Sequence, residues 1–325
     1  MFKTVQGFVE SQVLMALVEL EVFKLLSVGP LTLDLLSHKT AVPPDRLRVL
    51  VGASVTMGLL KRRGDRVSLS RRGAALSGVP GLADMIRHHK VLYSDLSDPV
   101  GFFRGTTEPE LASFWPYVFG AGAAKDPASA DRYSHLMSES QALVAEETLS
   151  VVDLSAHAHL LDVGGGTGAF LIEALRATPG LKATLFDLPS VLDSTGDRLS
   201  AAGVGDRVSL APGSFRDEPL PKGADVISLV RVLYDHADAT VAHLLSEVLD
   251  ALPKGGRLVV SEPMLGCEAG DVYYATYTLA MGTGRTRSAE EIAGHLKHAG
   301  FVDIKAHRAS RPFVTTVVTA SKPLD

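Results

Sequence analysis

The sequence predicts an α/β protein: a Rossmann-like, doubly wound sheet closed by an antiparallel strand, preceded by an α-helical, winged-helix-like domain. Three observations carry this expectation. From His159 onward, apolar strand-like runs alternate with helical ones, the pattern of a mostly parallel sheet. The first run, Leu160-Leu161-Asp162-Val163, ends in Gly164-Gly165-Gly166-Thr167-Gly168. The last two runs, at 301–305 and 313–318, have no helix between them and so read as an antiparallel pair at the sheet's far edge.

The elements before the sheet follow from spacing and stop signals. Between Gly7 and Leu26 apolar residues recur at helical intervals, and Gly29-Pro30 ends that helix. A short helix follows from Thr32 to His38, and Pro43-Pro44-Asp45 opens another that ends at Gly58. The stretch from Leu60 to Leu69 alternates around Gly64-Asp65, which predicts a hairpin. Arginines at 62, 63, 66, 71 and 72 suit DNA binding, but the helix that would read bases carries Leu47, Val49, Leu50, Val51, Ala53, Val55 and Met57. Such a surface favours burial against a partner, hence dimerisation with a solvated basic wing.

Between Leu82 and Ser150 a second helical stretch holds Tyr93, Phe102, Phe103, Phe114, Trp115, Tyr117, Phe119 and Tyr133, with Asp98-Pro99, Glu108-Pro109 and Asp126-Pro127 as breaks. This density of rings suits either a core or a roof over an elongated apolar ligand. The expected domains are therefore 1–100 (dimerisation), 101–150 (linker and roof) and 151–325 (catalytic). Strands are expected at 160–163, 183–187, 208–210, 224–230 and 257–262, with helices at 169–177, 191–202 and 239–252.

Composition bounds the function. The 325 residues are 46% hydrophobic with a net charge of −5, which describes a globular chain and gives no global reason to expect nucleic acid. A single cysteine, Cys267, fits a reducing cytoplasmic setting. The apolar start is interrupted by Glu10, Glu19 and Glu21, so no membrane span is expected; weak association with the inner membrane stays open.

Glycines after a first strand let the backbone turn tightly and approach a ligand. Asp187, ending the next strand, stands where an acid reaches ribose hydroxyls. Dinucleotide enzymes share this geometry. S-adenosylmethionine, which has no phosphate but carries an ammonium and a sulfonium, better explains Asp162 beside the loop and the antiparallel closing pair.

With Leu161 to Gly168, Phe186-Asp187-Leu188-Pro189, Gly213-Ser214-Phe215, the stretch Val232 to Asp238, Ser261-Glu262-Pro263 and Arg287-Ser288, the chain resembles the class I O-methyltransferases with an N-terminal dimerisation domain. Phe119 to Ala124, Arg231 to His236, Gly282 to Ser288 and Arg311 to Thr315 resemble the carotenoid O-methyltransferases of photosynthetic bacteria. Those act on the tertiary hydroxyl of acyclic carotenes of the hydroxyneurosporene or demethylspheroidene type. Bacteriochlorophyllide C-20 methyltransferases are a neighbouring group.

The resemblance implies a homodimer and a cofactor site made by Asp162, Gly164, Gly165, Gly166, Gly168, Asp187, Leu188, Gly213, Ser214, Phe215 and Arg231. Ser214 replaces an aspartate usual in the family. The chain starts inside what the resemblance makes an early dimerisation helix, so part of the relatives' interface is expected to be missing. Methyl transfer from a sulfonium is an in-line displacement in which positioning supplies much of the rate, and it requires no metal.

The family's histidine base is replaced by Tyr234, and an ordinary phenol is a poor base at neutral pH. Three readings stay open: Tyr234 orients the acceptor, Asp235, His236 or Glu262 relays the proton, or Tyr234 only packs. The expected catalytic set is Tyr234, Asp235 and Glu262. His88 and His89 are further candidates for the acceptor pocket. A rival reading is a winged-helix regulator that keeps the fold without the chemistry.

Overall fold

A computed structural model describes residues 1–79, 81–114 and 141–325. They divide into two compact units, Met1–Tyr93 and Ser94–Asp325.

In the first unit, helix α1 (Phe2–Glu19) stops before the expected Leu26, and α2 (Val22–Ser27) begins after Glu21. Glu21 takes a left-handed backbone, φ +52°, which breaks the helical hydrogen-bond ladder and re-aims the chain. Val22, Phe23 and Leu26 thereby join Met15, Leu17 and Val18 in one core. Strand β1 (Leu31–Thr32) leads into α3 (Leu33–Thr40), where the Thr32 hydroxyl accepts Leu35 N–H. Helix α4 (Pro44–Thr56) has proline in its first turn and buries Leu47 and Val51. The hairpin forms as β2 (Leu60–Arg63) and β3 (Arg66–Leu69), with Arg63 opposite Arg66 across the Gly64-Asp65 turn. Strand β1 adds to the hairpin's other edge, which the sequence did not reveal. Helix α5 (Arg71–Gly78) is capped by Ser70, and α6 (Leu82–Asp95) follows.

The second unit opens with α7 (Pro99–Arg104), capped by Asp98, and a 3₁₀ turn at Glu110–Phe114. Residues 141–149 form α8. Trp115, Tyr117, Phe119, Tyr133, the 119–124 motif and Asp126-Pro127 lie outside the described residues. The sheet contains β4 (His159–Val163), β5 (Lys182–Asp187), β6 (Val208–Pro212), β7 (Val226–Val230), β8 (Arg257–Glu262), β9 (Val302–His307) and β10 (Thr316–Ser321). Its order is β6-β5-β4-β7-β8-β10-β9. The first five strands are parallel, and β10 runs antiparallel to both neighbours. The closing pair is thus present, but the last strand inserts inside it and leaves β9 at the edge. The expected strand at 313–318 begins only at Thr316, because residues 311–314 close a turn through Val314 N–H to Arg311 O, 2.8 Å.

Alternation divides the strands between two cores. Leu161, Val163, Ile227, Leu229, Leu258 and Val260 pack with α12 (Asp238–Ala251) and α14 (Ala289–Ala299). Leu160, Val226, Val230 and Val259 pack with α8, α9 (Ala169–Ala177) and α11 (Thr195–Ala201), while α10 (Pro189–Leu192) splits the expected 191–202 helix. Helix α13 (Ala275–Met281), entered through a π-helical turn at Ala269–Tyr274, was not legible in the sequence. Helix α14, likewise not expected, opens on a Ser288–Glu291 capping box, a local signal that the apolar pattern alone passes over.

Candidate active site

Strand order reverses direction at β4, which has β5 on one side and β7 on the other. The carboxyl ends of parallel strands at such a point open a crevice. Apart from His88 and His89, the residues singled out for the site lie at or just beyond such an end: 162–168 at the end of β4, 187–188 after β5, 213–215 after β6, 231–236 after β7 and Glu262 closing β8. Residues up to 100 positions apart are thereby brought to one edge.

The loop after β4 works through its backbone. Gly164 has φ +68°, and a Cβ there would stand 2.9 Å from Val232 Cγ2, so both its conformation and its neighbour exclude a side chain. Gly166, φ +58°, donates its N–H to Asp187 Oδ2 at 2.8 Å, and, its chain neighbours aside, none of the described residues comes within 4 Å of where its Cβ would be. Gly165 packs on the Asp162 carboxylate, and Gly168 opens α9. Asp187 Oδ1 accepts Leu188 N–H at 2.7 Å. Burial pushes its carboxyl up, partly offset by the N–H groups of Gly166 and Leu188.

Asp162 is fully buried. Its Oδ1 accepts the Ser228 hydroxyl at 2.6 Å, while Oδ2 has no hydrogen-bond partner among the described residues. Burial raises its carboxyl to about 7, Ser228 opposes the rise and the Asp187 charge adds to it. Two neighbouring acids, one with an orphaned oxygen, form a site that gains from a cation. The ammonium and sulfonium of S-adenosylmethionine fit that need.

After β6, Gly213 lies against the Phe186 ring, where a Cβ would approach Cε2 to 2.6 Å. The Ser214 hydroxyl donates to Asp217 Oδ2 at 2.9 Å and accepts Arg216 N–H at 3.3 Å, so it closes its own turn. Phe215 meets His236 edge-on at 5.3 Å. Burial, with the Arg216 and Arg287 guanidinium groups, pushes His236 down to about 3. It is therefore neutral and accepts from Arg216 Nη2 at 3.0 Å through Nδ1.

The turn after β7 works through buried side chains. Arg231 takes φ +58° and donates its N–H to Ser261 O at 2.8 Å. Glu262 Oε1 accepts Val232 and Leu233 N–H at 2.9 and 2.7 Å, which holds the turn at the strand ends. Glu262 Oε2 and Asp235 Oδ1 are buried without hydrogen-bond partners among the described residues. Burial raises Glu262 to about 7, countered by the backbone N–H groups and Arg231. Burial and the Glu262 charge push Asp235 well up, countered by Arg231 and the Tyr234 hydroxyl. Burial and the Asp235 charge raise the Tyr234 phenol well above its ordinary value. The Arg231 guanidinium stands 5.7 Å from the Tyr234 ring centre and 5.9 Å from that of Tyr274.

Several neighbours escaped sequence reasoning. Tyr273 and Tyr274 stack edge-on at 4.9 Å, and Tyr277 lies 5.8 Å from Tyr273, forming an aromatic wall beside Arg231. The buried Arg287 donates to Leu233 O at 2.8 Å, His236 O at 2.9 Å and Asp238 Oδ1 at 2.6 Å, locking the 233–238 segment. Its presence in a recognised motif was the available signal, but nothing in the sequence tied it to Tyr234. His88 and His89 lie on α6 in the first unit; burial lowers both, His89 to about 4.

Residues 93–302 match the model of the O-methyltransferase domain, and residues 2–77 match that of the O-methyltransferase dimerisation domain. The chain is 53% identical over 330 residues to demethylspheroidene O-methyltransferase of Cereibacter sphaeroides, covering 100% of this chain and 87% of that one. Against the Rhodobacter capsulatus enzyme of the same name it is 52% identical over 326 residues, 99% and 81% of the two chains. Among solved structures, human N-acetylserotonin methyltransferase in complex with SAM superposes with a TM-score of 0.80 at 25% identity, covering 99% and 96%. CalO1, a methyltransferase of calicheamicin biosynthesis in its SAH-bound form, gives 0.83 at 25%, covering 98% and 96%.

Proposed function

The chain belongs to the S-adenosylmethionine-dependent O-methyltransferases, and on that premise we propose that its acceptor is the hydroxyl of an acyclic carotenoid of the demethylspheroidene type. The observation that carries the acceptor is the full-length likeness to two enzymes named for that substrate. The half-buried aromatic wall beside Arg231 agrees with it, since such a wall suits a long apolar molecule. A regulator without chemistry finds no support among these relatives.

We assign the domains as residues 1–100 for dimerisation, 101–150 for a linker and roof, and 151–325 for catalysis. The dimerisation-domain match supports a homodimer. No helix among the described residues is long and apolar enough to cross a membrane. We place the enzyme in the cytoplasm, peripheral to the inner membrane, where an apolar acceptor resides.

The roles divide between the two sides of the crevice. The glycine loop, Asp162, Asp187, Leu188, Gly213, Ser214, Phe215 and Arg231 hold the cofactor. Bound S-adenosylmethionine supplies a methyl group on a sulfonium that departs as a neutral thioether. Tyr234, protonated throughout, would turn its one O–H from Asp235 to the acceptor oxygen and so orient it for displacement. The acceptor's proton need leave only as the new C–O bond forms. Glu262 Oε2 and Asp235 Oδ1 are both buried without hydrogen-bond partners among the described residues, and of the two we assign the proton to Glu262, whose carboxyl ionises at about 7, since Asp235 is pushed well up beside it.

The test is incubation with methyl-labelled S-adenosylmethionine and a detergent-dispersed extract of hydroxylated carotenoids. Label is expected in a carotenoid methyl ether. Label confined to a tetrapyrrole or another non-carotenoid product overturns the acceptor.

A further inference from the structure

Charge is divided very unevenly between the two units. Met1–Tyr93 contains 13 Lys and Arg against 7 Asp and Glu, a net +6, while the remainder has 19 against 30, a net −11. Nearly half of the first unit's cations fall within twelve residues: Lys61, Arg62, Arg63, Arg66, Arg71 and Arg72, with Asp65 the one acid among them. All six are exposed on the β2–β3 hairpin and the first turn of α5.

Elsewhere in the same unit, three of the other seven cations are ion-paired with described residues. Lys24 meets Glu21, Arg87 meets Glu19 and Asp84, and Lys90 meets Glu19. None of the six hairpin cations enters an ion pair with the described residues, and the Arg62 bond to Gly64 O at 2.9 Å leaves its charge uncompensated. Such a face is unsuited to self-association, because a two-fold contact would bring like charges together. It calls for an anionic partner.

We propose that the basic hairpin is the surface on which this enzyme docks to anionic lipid membranes. The proposal rests on the carotenoid reading, since an acceptor dissolved in lipid must be collected from a bilayer. Clustered Lys and Arg are drawn to anionic headgroups within a Debye length of the surface. Nucleic acid fits less well. Beside Arg46 and Arg48, α4 offers exposed Val49 and Val55, not amides that could read base edges. The excess of acids in the second unit opposes adsorption to any anionic surface, so binding depends on this patch and collapses with salt.

The full-length protein is sedimented with sucrose-loaded vesicles of phosphatidylcholine, with or without phosphatidylglycerol, at low and high salt. Pelleting is expected only with phosphatidylglycerol and only at low salt. A variant carrying Arg63→Ser and Arg66→Ser is expected to bind at least about ten-fold more weakly. One carrying Lys254→Ser and Lys305→Ser, which removes the same charge from the second unit, is expected to bind as the wild type does. Matched melting curves establish that each variant is folded.

The proposal is overturned by wild-type protein that ignores phosphatidylglycerol, by equal binding to both lipids, or by equal loss in the two variants. Tighter binding to duplex DNA than to anionic vesicles at matched salt also overturns it. Turnover of detergent-dispersed carotenoid is expected to be the same in the hairpin variant. Absence of turnover in the wild type would fail the acceptor reading, whereas sedimentation alone decides the docking.

Discussion

The loop after β4 and the turn after β7 leave the same edge of the same sheet, yet they are built on opposite principles. At Gly164–Gly168 the N–H groups of Gly164, Gly166 and Gly168 bond to Phe186 O, Asp187 Oδ2 and Gly165 O, and what the loop offers outward is a surface without side chains, open beside Gly166 among the described residues. At Arg231–Asp235 the backbone is tied up by Glu262 and Arg287, and the useful groups are buried side chains. On the proposed roles the methyl donor meets a bare glycine surface backed by the Asp162 and Asp187 carboxyls, whereas the acceptor meets buried side chains, with Tyr234 where the resemblance implies a histidine.

The contrast breaks most visibly at Asp187. Asp187→Ala removes the acceptor for the N–H groups of Gly166 and Leu188, and the dissociation constant for S-adenosylmethionine is expected to rise about 100-fold. Calorimetric titration of the cofactor reads this, and unchanged affinity would place the ribose elsewhere.

A smaller effect is expected across the crevice. Glu262→Gln should reduce kcat/KM by roughly 10- to 100-fold with cofactor affinity kept. Since burial lifts Glu262 from 4.5 to about 7, its carboxylate fills only as pH rises through about 7. The wild-type rate should climb across that range and the variant's should not. The sign for stability is the reverse. The unfolded chain ionises first, so Glu262 costs stability as pH rises from 4.5 towards about 7. Melting temperatures of Glu262→Gln should lack that decline. A variant that keeps both slopes removes Glu262 from the proton path.

Tyr234→Phe is expected to change least. The ring still packs beneath Arg231, and a phenol raised well above its usual range is no base. Loss of one orienting hydrogen bond should lower kcat by less than about ten-fold. A fall of two or more orders of magnitude would return the hydroxyl to the chemistry.

The cofactor side was legible in the sequence for a physical reason. A strand, a glycine turn and a helix are contiguous, so Asp162 to Ala177 carries its own geometry, and Asp187 needs only the next parallel strand. The acceptor side was legible as residues but not as an arrangement. Tyr273, Tyr274 and Arg287 lie 39 to 53 positions from Tyr234, and no local period links them. The break at Glu21 was hidden because the apolar spacing of a helix persists through a single left-handed residue.

By itself the sequence determined the fold class, the methyl donor and the family, because alternation, glycines and caps act over a few residues and leave a written pattern. Tertiary structure alone decided that β10 inserts between β8 and β9, that Glu262 grips the turn carrying Tyr234, and that Arg287 locks it from behind. It also decided the ionisation of Asp162, Asp235 and Glu262. Those states depend on how much water is excluded and which charges face each other, quantities that exist only once distant strands have come together.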